Sequence, residues 1–247
     1  MSEITEFTDT AAPAPAPMPS FWEDVIEIFI HPVDVLRRRK DAGMWAPLLF
    51  VALTIGIISF ATFNTLQPVF EAEFTRNTAK AIAQNPAAAE QMNKFKDMSL
   101  AIGRYTLAII MVISILVTGL VSWIVSRVVG AKSTLGQMMT IAAWAYFPRI
   151  FSSIAGAIEG LVMDPQKMTS ALAISLSPAR FLDPETTNPM VYQLLGRLDI
   201  TIIWETVLLA IGVYVAGKVS KNSAIVFGVL MWVLGLLPAL RQAYMLM

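Results

Sequence analysis

The sequence predicts an all-α polytopic membrane protein: a five-helix transmembrane bundle with an N-terminal interfacial amphipathic helix and an extracytoplasmic helical hairpin. Three observations carry this reading. Hydrophobic residues make up 56% of the chain and charged residues 15%, against about 45–50% and about 25% in soluble domains. Five stretches are long and apolar enough to cross a hydrocarbon core of about 30 Å, which takes roughly 20 residues at about 1.5 Å each. Lys and Arg also crowd into one alternate set of short connections, as the positive-inside rule requires.

Residues 1–19 read as a disordered cytoplasmic tail, because the tract AAPAPAPMP buries nothing and favours polyproline II. Glu3, Glu6 and Asp9 precede that tract, with no basic n-region and no apolar h-region, so the segment does not read as a signal peptide. Residues 20–43 follow as cytoplasmic interfacial helices and a basic cluster. Ser20 and Glu23 have the spacing of a capping box. Phe21, Trp22, Val25, Ile26, Phe29 and Ile30 then share one helical face, with Glu23, Asp24 and Glu27 opposite. That pattern predicts a helix flat on the cytoplasmic leaflet, with Phe21, Trp22 and Phe29 as candidate membrane-surface contacts. Pro32 stops the helix and opens a shorter one. Arg37, Arg38, Arg39 and Lys40 come next. They are a topology determinant and candidate contacts to anionic lipid, worth on the order of 1 kcal/mol per basic residue.

Residues 44–247 read as the membrane domain, with spans at about 45–66, 105–126, 135–158, 200–217 and 223–240. The first two spans carry no charge, the third is interrupted by Arg149, and the fourth contains Glu205. The fifth is uncharged up to Arg241. Arg127 and Lys132 lie between spans two and three, and Lys218 and Lys221 lie about the turn between spans four and five. With the Arg37–Lys40 cluster, these segments define one face and predict a cytoplasmic N-terminus and an extracytoplasmic C-terminus. Loops 67–104 and 159–199 fall on the other face. The first is rich in helix formers interrupted at Asn85-Pro86, which predicts a helical hairpin extending spans one and two as a stalk. The second carries Pro165, Pro178, Pro184 and Pro189 around short apolar runs, and is expected to pack over or dip into the outer end of the bundle. Thr134 and Gln137 form a second capping-box pattern at the start of span three. Gly156 and Gly160 form a small-xxx-small pair near its end, which reads as helix packing.

Ionisable residues within a bilayer cost about 2.5–3.5 kcal/mol each on insertion scales, so each needs a partner. Arg149 falls roughly 21 Å from the cytoplasmic start of span three, and Glu205 roughly 9 Å below the outer boundary of span four, at 1.5 Å per residue. On a slab of about 30 Å these depths coincide, and Arg149 and Glu205 are expected to pair across the bundle interior. The pair reads either as a polar site for a substrate or proton or as a static structural tie, with Arg149 snorkelling outward as a further alternative.

Catalysis finds little support. The single histidine, His31, adjoins Pro32 at the interface, and the chain holds no cysteine. That excludes HExxH, histidine-cluster and thiolate sites as well as a Ser-His dyad in the spans. No phosphate-binding glycine loop appears. The sequence therefore predicts no enzyme, no cofactor, no metal and no nucleic-acid partner. Two functions stay open: a membrane organiser or adaptor for partner proteins, and a transporter or channel subunit using the Arg149/Glu205 region. The expected partners are the lipid bilayer and either another membrane protein or further copies of the chain.

A series of short motifs runs through residues 21–245: Phe21-Trp22-Glu23-Asp24 and His31-Pro32-Val33-Asp34-Val35-Leu36, then Gly130 ahead of Leu135-Gly136-Gln137, and Ala145-Tyr146-Phe147-Pro148. Ser177-Pro178-Ala179-Arg180-Phe181-Leu182 and Leu198-Asp199-Ile200 follow, leading to Trp204 and Gly212. In order and spacing the chain resembles the bacterial branch of the Yip-one domain family, the Ypt-interacting multi-pass membrane proteins. The resemblance implies a five-helix membrane domain with a cytoplasmic N-terminus, in a bacterial inner membrane. Eukaryotic members associate with small prenylated GTPases and with each other. GTPase binding is not carried over to this chain.

Overall fold

A computed structural model describes residues 19–246, so the expected disordered tail lies outside the described residues except for Pro19. Every regular element among them is helical. Five helical segments are long and apolar enough to cross a membrane: Trp45–Thr62, Ala88–Val128, Leu135–Val162, Ile200–Gly217 and Lys221–Tyr244.

Helix α1 (Phe21–Ile30) opens on a capping box: the Glu23 amide donates to Ser20 Oγ, and the Ser20 amide donates to the Glu23 carboxylate. Helix α2 (Pro32–Arg39) turns back after His31, with Pro32 at its first position, where a missing N–H costs nothing. The two pack together, and α2 lies against the fourth span. Ile28, Val35 and Leu36 are fully buried, so this pair is docked on the bundle as part of its core. Helix α3 (Trp45–Thr62) is the first span. It is followed by α4 (Gln67–Gln84), a break at Asn85-Pro86, and α5 (Ala88–Val128). The hairpin's second arm and the second span are thus one continuous helix.

The third span is divided. Helix α6 (Leu135–Ala145) starts on the Thr134/Gln137 capping box, and α7 (Pro148–Val162) resumes after Tyr146-Phe147. Pro148 has no amide to give to the preceding turn, and its ring crowds it, so the helix breaks there. Beyond α7 the chain forms two 3-10 turns, at Pro165–Lys167 and Pro178–Phe181, and a short helix α8 (Pro189–Gly196). Helix α9 (Ile200–Gly217) is the fourth span and ends on Lys218, a non-glycine residue in the left-handed region at φ 54°. The fifth span is also divided, into α10 (Lys221–Leu234) and α11 (Leu237–Leu246). Gly235-Leu236 forms the break, and Pro238 sits in the first turn of the resumed helix.

Close approach between spans relies on a few glycines. A Cβ on Gly212 of α9 would lie 2.1 Å from Ile141 Cγ2 of α6, a fully buried side chain with nowhere to move. Gly56 of α3 meets Ala108 of α5 in the same way, at 2.8 Å. Gly156 and Gly160 differ in their neighbours. They are approached by Ile174 and Leu66, respectively, which lie in connecting segments and not in another span.

The short connections gather at one end of the bundle. The Lys132 amide donates to the Gly217 carbonyl at 3.0 Å, joining the turn after α5 to the end of α9. Gln137 Nε2 donates to Asp41 Oδ1 at 2.8 Å, tying in the segment after α2. Arg127 closes its own turn by donating to the Ala131 and Ser133 carbonyls. At the other end, α8 packs on α11, and Arg76 of α4 pairs with Glu185 at 2.9 Å.

Candidate functional site: a polar layer within the bundle

The break at Pro148 brings Arg149 into the first turn of α7, facing α9, where Glu205 occupies the second turn. Arg149 Nε donates to Glu205 Oε2 at 2.6 Å. Other polar groups surround this contact. Tyr146, in the break itself, shares a hydrogen bond of 2.8 Å with Thr118 of α5. Asp199, the α9 N-cap, is 4% exposed and accepts from the Thr201 amide and hydroxyl and from the Leu176 amide. Arg197 lies across the break in the fifth span: Nε donates to the Trp232 carbonyl at 3.4 Å, and the indole of Trp232 donates back to the Arg197 carbonyl at 3.3 Å. A Cβ on Gly235 would fall 1.8 Å from the Arg197 guanidinium, so a larger residue there would push that side chain out of its present place. Arg149, Arg197, Glu205 and Asp199 thus make a neutral layer, two charges of each sign. A neutral layer avoids most of the cost of isolated charges at that depth.

On one side of this layer lies a cavity of about 290 Å³ between α3, α7 and the segment after α7. Arg149, Ser59, Thr62, Ser152, Ser153 and Ser175 supply its polar wall. No signal for it was read in the sequence, although the seryl positions 152 and 153 stand one turn beyond Arg149 and were visible as such.

The basic cluster is arranged differently from the sequence expectation. Asp24 lies opposite the apolar face as read, but it is fully buried, between α1 and α2. Arg38 donates to it through Nε at 2.6 Å and also pairs with Glu27, while Arg39 pairs with Asp24 and donates to the Pro19 carbonyl at 2.7 Å. Burial opposes the charge on Arg38, yet hydrogen bonds to Glu27 and Asp24 raise its guanidinium above the ordinary value. Arg37 pairs with Asp34 and Lys40 with Asp41. Arg38 and Arg39 therefore tie α1 to α2. The acidic face of α1, which a flat interfacial helix would turn to water, is what they neutralise.

The aromatic contacts divide as well. Phe21 turns inward onto Phe50 and Trp144, with ring centroids 5.7 and 5.5 Å away, and joins a stack that includes Phe147. Phe29 packs on Phe151 of α7 at 5.1 Å. Trp22 remains outward at 65% exposure, together with Ile26 and Ile30. No group of metal-ligating side chains occurs among the described residues.

The Yip1 domain matches residues 26–240, nearly the whole helical region described above. The chain belongs to the Yip1 domain family. Within it, the chain is similar to a membrane protein of Bacillus subtilis (strain 168), YknW, at 24% identity over 206 residues, which covers 78% of this chain and 80% of that one. No solved structure matches. The match begins inside α1 and ends inside α11, so the polar layer, both helix breaks and the docked α2 all fall within the Yip1 domain. This is an integral membrane protein of the Yip1 type.

Proposed function

We propose that this Yip1-family protein is a non-enzymatic membrane organiser, an adaptor for partner membrane proteins, resident in a bacterial inner membrane with its N-terminus in the cytoplasm. The observation that carries this reading is the α1–α2 platform. Asp24, Arg38 and Arg39 lock α1 to α2, and Ile28, Val35 and Leu36 anchor both to the spans. A rigidly held helix thereby presents Trp22, Ile26 and Ile30, each 64–65% exposed, at the edge of the bundle. Isolated apolar residues on a surface carry no message, but a contiguous apolar stripe on a fixed element is what an interaction surface requires. The clustering of Arg37–Lys40, Arg127, Lys132, Lys218 and Lys221 at the same end supports the cytoplasmic assignment.

A photo-reactive amino acid in place of Ile26, activated in native membranes, tests the reading. The outcome predicted is a discrete protein adduct, either a second copy or another membrane protein, that is lost in Asp24→Ala while the chain stays in the membrane. Labelling of lipid alone would contradict the adaptor role.

A further inference from the structure

The geometry points to a binding site for a single-chain amphiphile with an oxyanion head, seated on the free side of Arg149. An arginine carries five N–H donors. Only Nε of Arg149 is engaged, by Glu205, and the four N–H groups of its two terminal nitrogens meet no protein acceptor among the described residues. These nitrogens are not sealed in, for the buried unpaired polar atoms in the described region are the indole nitrogens of Trp123 and Trp204. The guanidinium opens instead onto the cavity of about 290 Å³ described above.

Ser59, Ser152 and Ser153 line the same space. Seryl groups in membrane helices ordinarily bond back to a carbonyl one turn earlier, as Ser114 does to Ile110 and Thr62 to Ile58. Ser59, Ser152 and Ser153 make no such bond, so three seryl residues without a carbonyl partner and an arginine with free terminal N–H groups line one pocket. Because the layer behind Arg149 is neutral, selectivity comes from directed, charge-assisted hydrogen bonds, which a carboxylate or phosphate accepts better than a neutral oxygen.

Beside the cavity lies a second, largely apolar groove of about 440 Å³, and Ser59, Leu66 and Ile174 border both. Phe63, Phe70, Leu100 and Leu107 line it, between α3, α4 and α5. Both volumes are of the order of ordinary small-molecule sites, about 300–1,000 Å³. A polar end at Arg149 and an apolar groove leading towards the α4–α5 hairpin together fit a head and one hydrocarbon chain. The chain would point away from the middle of the span, opposite to a bilayer lipid, and this orientation sets the occupant apart from the surrounding membrane.

Equilibrium binding of radiolabelled oleate to the purified full-length protein in nonionic detergent, with oleyl alcohol and acetate as competitors, tests the site. Oleate is expected to bind at one per chain. Oleyl alcohol should compete at least about tenfold more weakly, the value of hydrogen bonds to a charged group, and acetate should not compete at comparable concentration. Arg149→Lys keeps a cation for Glu205 but lacks the free planar donors, and Ser153→Leu fills the polar end with the ion pair intact. Each should lower oleate affinity at least about tenfold, Ser153→Leu with an unchanged melting midpoint. Failure to bind oleate, or equal binding by wild type and both variants, would overturn the proposal. So would equal competition by oleyl alcohol. Acetate competing as well as oleate would show a site for free oxyanions and overturn the amphiphile.

Discussion

Arg149 and Asp24 solve the same electrostatic problem in two settings. Each is an ionised group withdrawn from water, and each is matched by an opposite charge at hydrogen-bond distance. Removing one member of a buried pair leaves the other uncompensated, at a cost of about 3–5 kcal/mol. Arg149→Glu and Glu205→Arg should therefore each lower the yield and melting temperature of the protein in detergent, and the double exchange should recover most of the loss. An exchange no better than either single change would show that the two do not act as a pair. Asp24→Ala should cost about 3–5 kcal/mol, because it strands two arginines. Thermal unfolding monitored in detergent checks this, and a loss below about 1 kcal/mol, the range of a surface pair, would place Asp24 in solvent. Arg37→Ala, by contrast, breaks an exposed pair with Asp34 and should change stability by less than about 1 kcal/mol.

Helices in this bundle are positioned by interruptions as much as by apolar faces. Pro148 divides the third span and delivers Arg149 to α9. Gly235 divides the fifth and makes room for the guanidinium of Arg197. Gly212 allows α9 to lie against α6. Gly212→Ala should overpack that contact and cost about 1–3 kcal/mol, whereas the same change at Gly43, which has open space around it but a φ of 88°, would act only through backbone strain. A melting-temperature comparison of Gly212→Ala with Ile141→Ala/Gly212→Ala separates the two causes. If the clash is responsible, trimming Ile141 recovers part of the loss. No recovery would put the cost elsewhere. The α1–α2 platform shows where a hydrophobic pattern stops being informative. An apolar face predicts burial against something apolar, and bilayer and bundle satisfy it equally. What the periodicity of α1 did not reveal was that Arg38 and Arg39 return to Asp24, a contact across 14 and 15 residues that depends on how α2 folds back after Pro32.

For the whole molecule, the five spans were legible because long uncharged runs admit few alternatives, and the polar layer was legible in part. Arg149 and Glu205 drew notice because charge is rare within a span, and counting residues from each end put them at one depth. Arg197 and Asp199 escaped because they precede the fourth span, where charges are ordinary, and their place in the layer follows from how α8 and α11 pack. The cavity escaped because serines have no signature until the helices that carry them are set side by side. The topology claim belongs to this scale. The absence of cysteine from the whole sequence makes single-cysteine labelling a direct test without further engineering. Exposed positions suit it: Lys132 at the end that gathers the short connections, and Glu90 and Lys167 in the two long loops. In intact cells, a membrane-impermeant maleimide should label Glu90→Cys and Lys167→Cys at once and Lys132→Cys only after permeabilisation. Labelling of all three from the outside, or of Lys132→Cys alone, would contradict the arrangement of five crossings with the basic connections on the inner face.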